Sequence, residues 1–262
     1  MEKLFDTHAH YFDEKFETLE GGAETLLEKL FSENVGYILN ASTTTRDSQS
    51  VLALADRYDG CFAAVGVHPE NCSEEESVEA AIEKLKELLK HPKALAIGEI
   101  GLDYHWEDNP PREMQKAFFK AQLDLARETG KPVVIHNRDA HGDVFDILSG
   151  YRDLFVILHS YSGSPEMAKQ YMRNPNYYIS FSGVLTYKNA VQTVEIAKML
   201  PEDRILIETD CPYLAPVPYR GQINHSGLMI ETAKRLAEIR SLTLEETVKK
   251  TRENAFSAFK MQ

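Results

Sequence analysis

Short apolar runs alternate with amphipathic stretches along almost the whole chain. Eight runs have the length and apolar character of buried strands, and they cover residues 3–9, 35–42, 61–69, 94–103, 132–138, 154–160, 177–183 and 204–210. Unbroken apolar runs of this kind predict strands that are covered on both faces, as in a parallel sheet. The stretches between them, such as residues 23–34 and 112–130, carry apolar residues at three- and four-residue steps, which predicts helices. Gly130 is predicted to end the second of these helices.

The regular succession of strands and helices predicts an α/β fold. Eight strands, each followed by a helical stretch, favour a (β/α)8 TIM barrel that forms a single domain over residues 1–262. A doubly wound open sheet is the alternative, because it is built from the same units. The sequence contains no linker, low-complexity tract or internal repeat that would divide the chain.

Charge and cysteine content narrow the classes of partner. The net charge of −12 and the lack of a basic stripe argue against a protein that grips duplex DNA along a broad face. No apolar run is long enough to span a membrane, and the first residues do not read as a signal peptide. Three scattered cysteines favour a reducing compartment. We therefore expect a cytoplasmic protein with no membrane contact and no obligate protein partner.

Ligand-type side chains fall at the carboxyl ends of the predicted strands. They are His8, His10, His68, Glu99, His136, His159 and Asp210. In a barrel all these positions converge on the face that carries the active site. A single histidine of this kind is usually an ordinary hydrogen-bonded residue, but the whole set at matching strand ends predicts a metal centre. His8 and His10 are two residues apart, so both point to the same side of a strand.

The ligand types indicate the kind of metal. Imidazoles and carboxylates without thiolates suit zinc, manganese, iron or cobalt better than calcium. Six ligands, with His68 left aside, exceed the four of one tetrahedral site, so we predict two divalent ions, zinc in the first place and manganese or magnesium as alternatives. Glu99 would bridge them. His8, His10 and Asp210 would hold one ion, and His136 and His159 the other.

Six sequence segments resemble the TatD-related deoxyribonuclease family, within the amidohydrolase superfamily of metal-dependent barrels. They are DTHAH (6–10), VGVHPE (65–70), GEIGLDY (98–104), VIHNRDA (134–140), HSYSGS (159–164) and IETDCPYLAP (207–216). The resemblance implies a barrel nuclease whose metal ligands are the six residues already reached from the strand ends. It also implies substrate or phosphate contacts at His68, Asp103 and Arg138.

One segment departs from the family pattern. Where the family usually has an Arg-Asn pair followed by a proline, this chain reads PYRGQINHSG, so that Ile223 replaces the arginine and Asn224 aligns. A phosphate-binding arginine is thereby lost, and Arg220 is the available substitute. A smaller departure is Ser160-Tyr161, where the family often has Cys-Phe.

The sequence as a whole predicts a divalent-metal-dependent hydrolase that acts on phosphodiesters, specifically a deoxyribonuclease that attacks DNA ends or a small phosphodiester. Asp210 and Glu99 are the predicted catalytic residues, with Asp210 as general base, while His68 and Arg138 would orient the phosphate. Asp103 has the alternative role of supporting a ligand histidine. Tyr104 and Trp106 would either stack on a base or pack in the core or a lid.

Two rival functions remain open at the level of sequence. The first is hydrolysis of a small amide, ester or lactone at the same centre, which the missing arginine and the acidic composition favour. The second is a non-catalytic binding module stabilised by metal. The carboxylate-rich ligand set argues against the second rival, because structural zinc sites are usually closed and rich in cysteine.

Overall fold

Eight parallel strands follow one another around a barrel in the order in which they occur in the chain. The structure is a computed structural model and describes residues 2–261. The strands are β1 (Leu4–Ala9), β2 (Val35–Ala41), β3 (Cys61–Val65), β4 (Ala94–Asp103), β5 (Val133–Arg138), β6 (Val156–Leu158), β7 (Tyr177–Phe181) and β8 (Ile205–Ile207).

Helices alternate with the strands and surround the barrel. They are α1 (Gly22–Ser32), α2 (Thr45–Asp56), α3 (Val78–Leu88), α4 (Arg112–Thr129), α5 (His141–Leu148), α6 (Pro165–Tyr171), α7 (Val191–Met199), α8 (Met229–Arg240) and α9 (Leu244–Ala258). α4 ends at Gly130, whose φ of +69° provides a left-handed cap, as the sequence predicted. No helix within residues 2–261 is both long and apolar enough to cross a membrane.

The barrel closes where the first and last strands meet, and we call this junction the seam. The His10 amide donates to the Cys211 carbonyl at 2.8 Å, and the Asp210 amide donates to the His8 carbonyl at 2.9 Å. The (β/α)8 TIM barrel is therefore confirmed, and the open doubly wound sheet is wrong. The predicted domain covers residues 1–262, of which residues 1 and 262 lie outside the described residues.

Apolar side chains fill one end of the barrel and leave the other for polar groups. Inward-facing residues of every strand, among them Phe5, Leu39, Val134 and Tyr178, form a buried cluster with Phe259, which follows α9. The ring centroid of Phe259 lies 5.9 Å from that of Phe5. The segment at the end of α9 thus closes the amino-terminal end of the barrel, and the polar side chains remain at the carboxyl-terminal end.

Three strands end before the predicted ligand or substrate contact that their predicted ranges included. β3, β6 and β8 stop before the polar residues that the predicted ranges 61–69, 154–160 and 204–210 included. Two of these segments leave the strand direction through residues with left-handed backbones, since φ is +38° at Ser160 and +58° at Asp210. His68, His159 and Asp210 accordingly lie in the segments directly after their strands.

Candidate metal centre

Glu99 lies at the centre of the polar cluster, on an irregular part of β4. Ile97 pairs with Val133 while Ile100 pairs with Ile135, so one extra residue interrupts the register. Such bulges re-aim side chains. The Glu99 side chain is only 3% exposed, and its two oxygens contact histidines from different strands. Glu99 is therefore placed where one carboxylate can serve two groups of ligands.

The first group, which we call the seam half, consists of His8, His10 and Asp210. His8 Nε2 lies 3.0 Å from His10 Nε2 and 3.1 Å from Glu99 Oε2. Asp210 Oδ1 lies 3.3 Å from His10 Nε2 and 3.6 Å from His8 Nε2. Ligand atoms around a tetrahedral zinc ion stand about 3.3 Å apart, given metal–nitrogen bonds of about 2.0–2.1 Å. These separations fit a divalent ion.

The second group, which we call the far half, consists of His136 and His159. His136 Nδ1 and His159 Nε2 each lie 2.8 Å from Glu99 Oε1. The opposite nitrogen of each ring faces a carboxylate, since His136 Nε2 is 2.8 Å from Asp103 Oδ2 and His159 Nδ1 is 3.1 Å from Glu208 Oε1. Carboxylates in this position orient a metal-binding imidazole and make it more basic.

The ring nitrogens of His136 and His159 lie farther apart than the predicted ligand assignment requires. Within residues 2–261, no cluster with candidate ligand atoms less than 4.8 Å apart contains both His136 and His159. One such cluster joins His159 to His8 and Glu99, and another joins His136 to His68 and Glu99. The pairing of His136 with His159 around one ion stays a prediction.

Hydrogen bonds on the outer ring nitrogens assign the tautomers. The His10 Nδ1–H donates to the Ala41 carbonyl at 2.9 Å, so His10 Nε2 presents a lone pair to the centre. His68 has the opposite arrangement. Its Nδ1 accepts the Glu70 amide at 3.2 Å, which leaves a proton on Nε2 of the neutral ring, 3.6 Å from Glu99 Oε1. His68 is thus equipped to donate to an anion.

Charges within the cluster reinforce these roles. Burial raises the pKa of Glu99, but the neighbouring His159 and His8 outweigh it and hold this pKa well below its usual range. Burial lowers the pKa of His136, but Asp103 and Glu99 outweigh it and raise the pKa to about 9. Burial and the nearby His136 lower the pKa of His68. Without a cation the far half holds protons, while His68 stays neutral.

The three predicted substrate contacts lie in different environments. His68 faces Glu99, as described above. Asp103 is fully buried, and its Oδ1 accepts the His105 amide at 2.9 Å while its Oδ2 faces His136. Its position corresponds to the alternative role of supporting a ligand histidine. Arg138 is exposed and lines a recess of about 310 Å³ together with three predicted ligands, which are His136, His159 and Asp210.

Sequence reasoning missed Glu208, the partner of His159. This carboxylate is fully buried, and its Oε1 also accepts the Ser160 amide at 2.8 Å. The predicted strand 204–210 offered a signal, because Glu208 and Asp210 are two residues apart and so share a strand face. The two residues contribute to different halves of the centre.

Sequence reasoning also missed a hydrogen-bonded network of Asp6, Thr209 and Ser226 that supports the seam half. Asp6 Oδ2 accepts the Thr209 hydroxyl at 2.6 Å and the Ser226 hydroxyl at 2.7 Å. Burial raises the pKa of Asp6 to about 7, although these hydrogen bonds oppose the shift. The network joins the strand that carries His8 to the residue before Asp210. No sequence pattern linked these three residues.

In the segment that departs from the family pattern, Ile223 packs against the core and Asn224 holds the loop through hydrogen bonds. Ile223 packs against an apolar cluster that includes Leu27 and Leu30. The buried Asn224 amide donates to the Thr209 carbonyl at 2.9 Å and to the Tyr213 carbonyl at 2.7 Å. Arg220 is exposed and lies over the ring of Tyr187, 4.0 Å from its centroid.

A TIM barrel with this set of imidazoles and carboxylates at the carboxyl ends of its strands defines the class of protein, a metal-dependent hydrolase. The chain belongs to the TatD related DNase family, whose model matches residues 5–260.

Individual relatives agree with the family assignment. The chain is 40% identical over 260 residues to the uncharacterized metal-dependent hydrolase YabD of Bacillus subtilis, covering 98% of this chain and 99% of YabD. It is 33% identical to the uncharacterized metal-dependent hydrolase YcfH of Escherichia coli, covering 96% and 93%. The crystal structure of YjjV, a TatD homologue from Escherichia coli, superposes with a TM-score of 0.89 at 29% identity, covering 99% and 98%.

Proposed function

We propose that the protein is a deoxyribonuclease that hydrolyses phosphodiesters at DNA ends with the help of divalent metal ions. The observation that carries this proposal is the position of His68 and Arg138. The neutral His68 ring presents an N–H beside Glu99, and the Arg138 guanidinium lines the recess that opens on the ligand residues. An N–H donor and a guanidinium next to a divalent centre form a site suited to a phosphate group.

We further propose two ions at full loading, zinc first and manganese or magnesium as alternatives. The donor set fits such ions, and Glu99 faces both halves. When bound, divalent ions at such centres activate water as a nucleophile and neutralise charge on the phosphoryl oxygens. Each half supplies few protein ligands, so one ion should be lost more easily than the other.

Asp210 is the proposed general base. Its side chain is 18% exposed, against 3% for Glu99, so it is the carboxylate that water can reach. Burial raises the pKa of Asp210, but its contact with His10 and the nearby His159 outweigh burial and lower the pKa. Asp210 is therefore ionised at neutral pH and can accept the proton of the attacking water, while His68 and Arg138 hold the phosphate.

Hydrolysis of a small amide, ester or lactone is the second candidate. The observation that favours it is Ile223, which packs against apolar side chains where the family usually has an arginine. With Arg138 as the guanidinium lining the recess, the site has few cationic contacts for a long polyanion. A small substrate needs no more than that.

A metal analysis paired with a substrate panel tests the proposal. Elemental analysis after back-titration with zinc or manganese should approach two ions per chain, and a ceiling of one would contradict the bridging role of Glu99. The panel compares single-stranded ends, duplex interiors, carboxamides and lactones, with chelated protein as the control. Cleavage of a lactone or amide, but of no DNA end with any divalent ion, would replace the nuclease by the small-molecule hydrolase.

We also propose a cytoplasmic location. The support is chemical, because Cys61, Cys72 and Cys211 are all buried free thiols. Free thiols persist in reducing compartments.

A further inference from the structure

Exposed apolar side chains are concentrated on the catalytic face. Within residues 2–261, the large apolar side chains more than one third exposed are Trp106, Met114, Val191, Tyr213 and Val217. Each lies in a segment after a strand or in the first turn of the following helix, and both belong to the face that carries the metal centre. Apolar side chains that are exposed singly are normal on a protein surface, so one of them indicates binding only where it adjoins a polar site.

Trp106 is the largest of these side chains, and it adjoins the recess. Its side chain is 55% exposed, and the Arg138 guanidinium carbon lies 5.3 Å from the ring centroid. Arg138 lines the recess together with His136 and Asp210. The indole therefore stands one side chain away from the cavity beside the metal centre, with much of its surface open to solvent.

The loop that carries Trp106 is held in place by Asp103. The His105 amide and the Asn109 side-chain amide donate to Asp103 Oδ1 at 2.9 and 3.0 Å. The same carboxylate faces His136 through Oδ2. One buried carboxylate thus orients both a predicted metal ligand and the loop that presents the indole, and a binding group fixed in advance loses less entropy when its ligand arrives.

We propose that Trp106 and Arg138 form a nucleotide subsite beside the metal centre. A base stacks on the open face of the indole, and the guanidinium pairs with the phosphate that is cleaved. Aromatic platforms beside cations bind single-stranded nucleic acid without sequence preference. Bases inside a duplex have both faces covered, so the subsite selects a single-stranded end. This inference rests on the proposed nuclease function and names the form of DNA that the site accepts.

Fluorescence tests the stacking directly, because Trp106 is the one tryptophan in the chain. The metal-loaded protein is titrated with a thymidine tetramer whose phosphorothioate linkages resist cleavage. A tetramer of the same length and linkages with abasic sugars is the matched control. We expect a saturable quench with the thymidine tetramer and none with the abasic one. No quench, or an equal quench by both tetramers, would overturn the subsite.

Kinetics separate the subsite from the proposed function. On phosphodiester-linked tetramers, Trp106→Leu should raise the KM for thymidine DNA about 5- to 150-fold, the effect of losing one base–aromatic stack, with kcat retained. Trp106→Phe should recover part of the loss, and Val191→Ala serves as an exposed apolar control. If the parent cleaves DNA ends and Trp106→Leu matches it, the subsite is wrong and the nuclease stands. If the parent cleaves neither tetramer, the nuclease fails, and the fluorescence titration still decides whether the indole binds bases.

Discussion

The two halves of the centre hold their histidines in different ways. In the seam half, main-chain groups do the positioning, because His10 is oriented by the Ala41 carbonyl and the Asp210 amide is bonded to the His8 carbonyl. In the far half, side-chain carboxylates do it, with Asp103 behind His136. A carbonyl orients an imidazole without adding charge, whereas a carboxylate also raises its affinity for a proton.

This difference teaches that the two halves should respond differently to mutation and to pH. In the seam half, burial and the nearby His159 lower the pKa of His8, whereas Asp210 and Glu99 outweigh burial and raise the pKa of His10. Burial also lowers the pKa of His136 in the far half, but Asp103 and Glu99 raise it to about 9. A metal ion must displace protons to bind such a histidine. We therefore expect the far half to load less readily at neutral pH.

The largest effect is expected at the base of the seam half. Asp210→Asn should lower turnover by about 10²–10⁴-fold, the usual contribution of a general base, and weaker metal binding should add to the loss. Steady-state rates on single-stranded ends, with circular dichroism to show that the fold is intact, provide the measurement. Activity within about tenfold of the parent, well inside that range, would place the base elsewhere.

The far half should depend on its supporting carboxylates. Asp103→Asn and Glu208→Gln should each weaken metal binding there by about 10- to 100-fold, as is typical when the outer partner of a ligand histidine is removed. Competition with a chromogenic chelator measures this in His10→Ala protein, in which the seam half is disabled. Ser226→Ala on the same background is the matched control. Equal affinities in all four proteins would contradict the division into halves.

The pH dependence of metal affinity should also differ between the two halves, but by a smaller factor than the effects of these mutations. Because the pKa of His136 is about 9 without metal, binding at the far half should strengthen by about tenfold per pH unit for each displaced proton, up to about pH 9. Asp103→Asn removes a group that raises this pKa and should flatten the slope above pH 7. Calorimetry in buffers of different ionisation enthalpy counts the protons released. An unchanged slope in the variant would mean that Asp103 does not set the proton affinity.

The smallest effect is expected from the network behind the seam half. Ser226→Ala removes a hydroxyl that donates to Asp6 and should cost about 1–3 kcal/mol of stability, the range for a buried group that loses its partner. Thermal unfolding of the metal-free protein measures it, with Ser257→Ala, on an exposed helix position, as the control. Turnover of the loaded enzyme should change little, and a large loss would show that this network acts on the catalytic geometry.

The fold was predictable because periodicity suffices to find strands buried on both faces. β4 was predicted over its full observed range, 94–103, and α4 ended at its predicted glycine. The exact placement of the ligands along the strands was harder to predict. The extra residue near Glu99 is an irregularity of pairing that no local pattern encodes.

Partners of the ligands were harder to predict than the ligands themselves. Ligand-type residues at strand ends stand out by type and position, and these formed the predicted centre. Glu208 and Asp6 act through hydrogen bonds to distant segments, and such contacts exist only once the barrel closes. The tautomer of His68 likewise depends on the Glu70 amide in the 3-10 turn that follows. Residue types show which ligand atoms are available, but contacts in the folded structure decide the tautomer and protonation state of each side chain.

The seam has a consequence for the integrity of the barrel. Asp6 and Thr209, which meet there, are separated by 203 positions in the chain. A cation held by the seam half would therefore cross-link two segments that lie near opposite ends of the polypeptide. Closing a loop of that length in an unfolded chain costs about 5 kcal/mol of entropy if the link is permanent. Chelation should remove this cross-link, so that the amide hydrogens of β1 and β8 exchange with solvent sooner than those of β4 and β5.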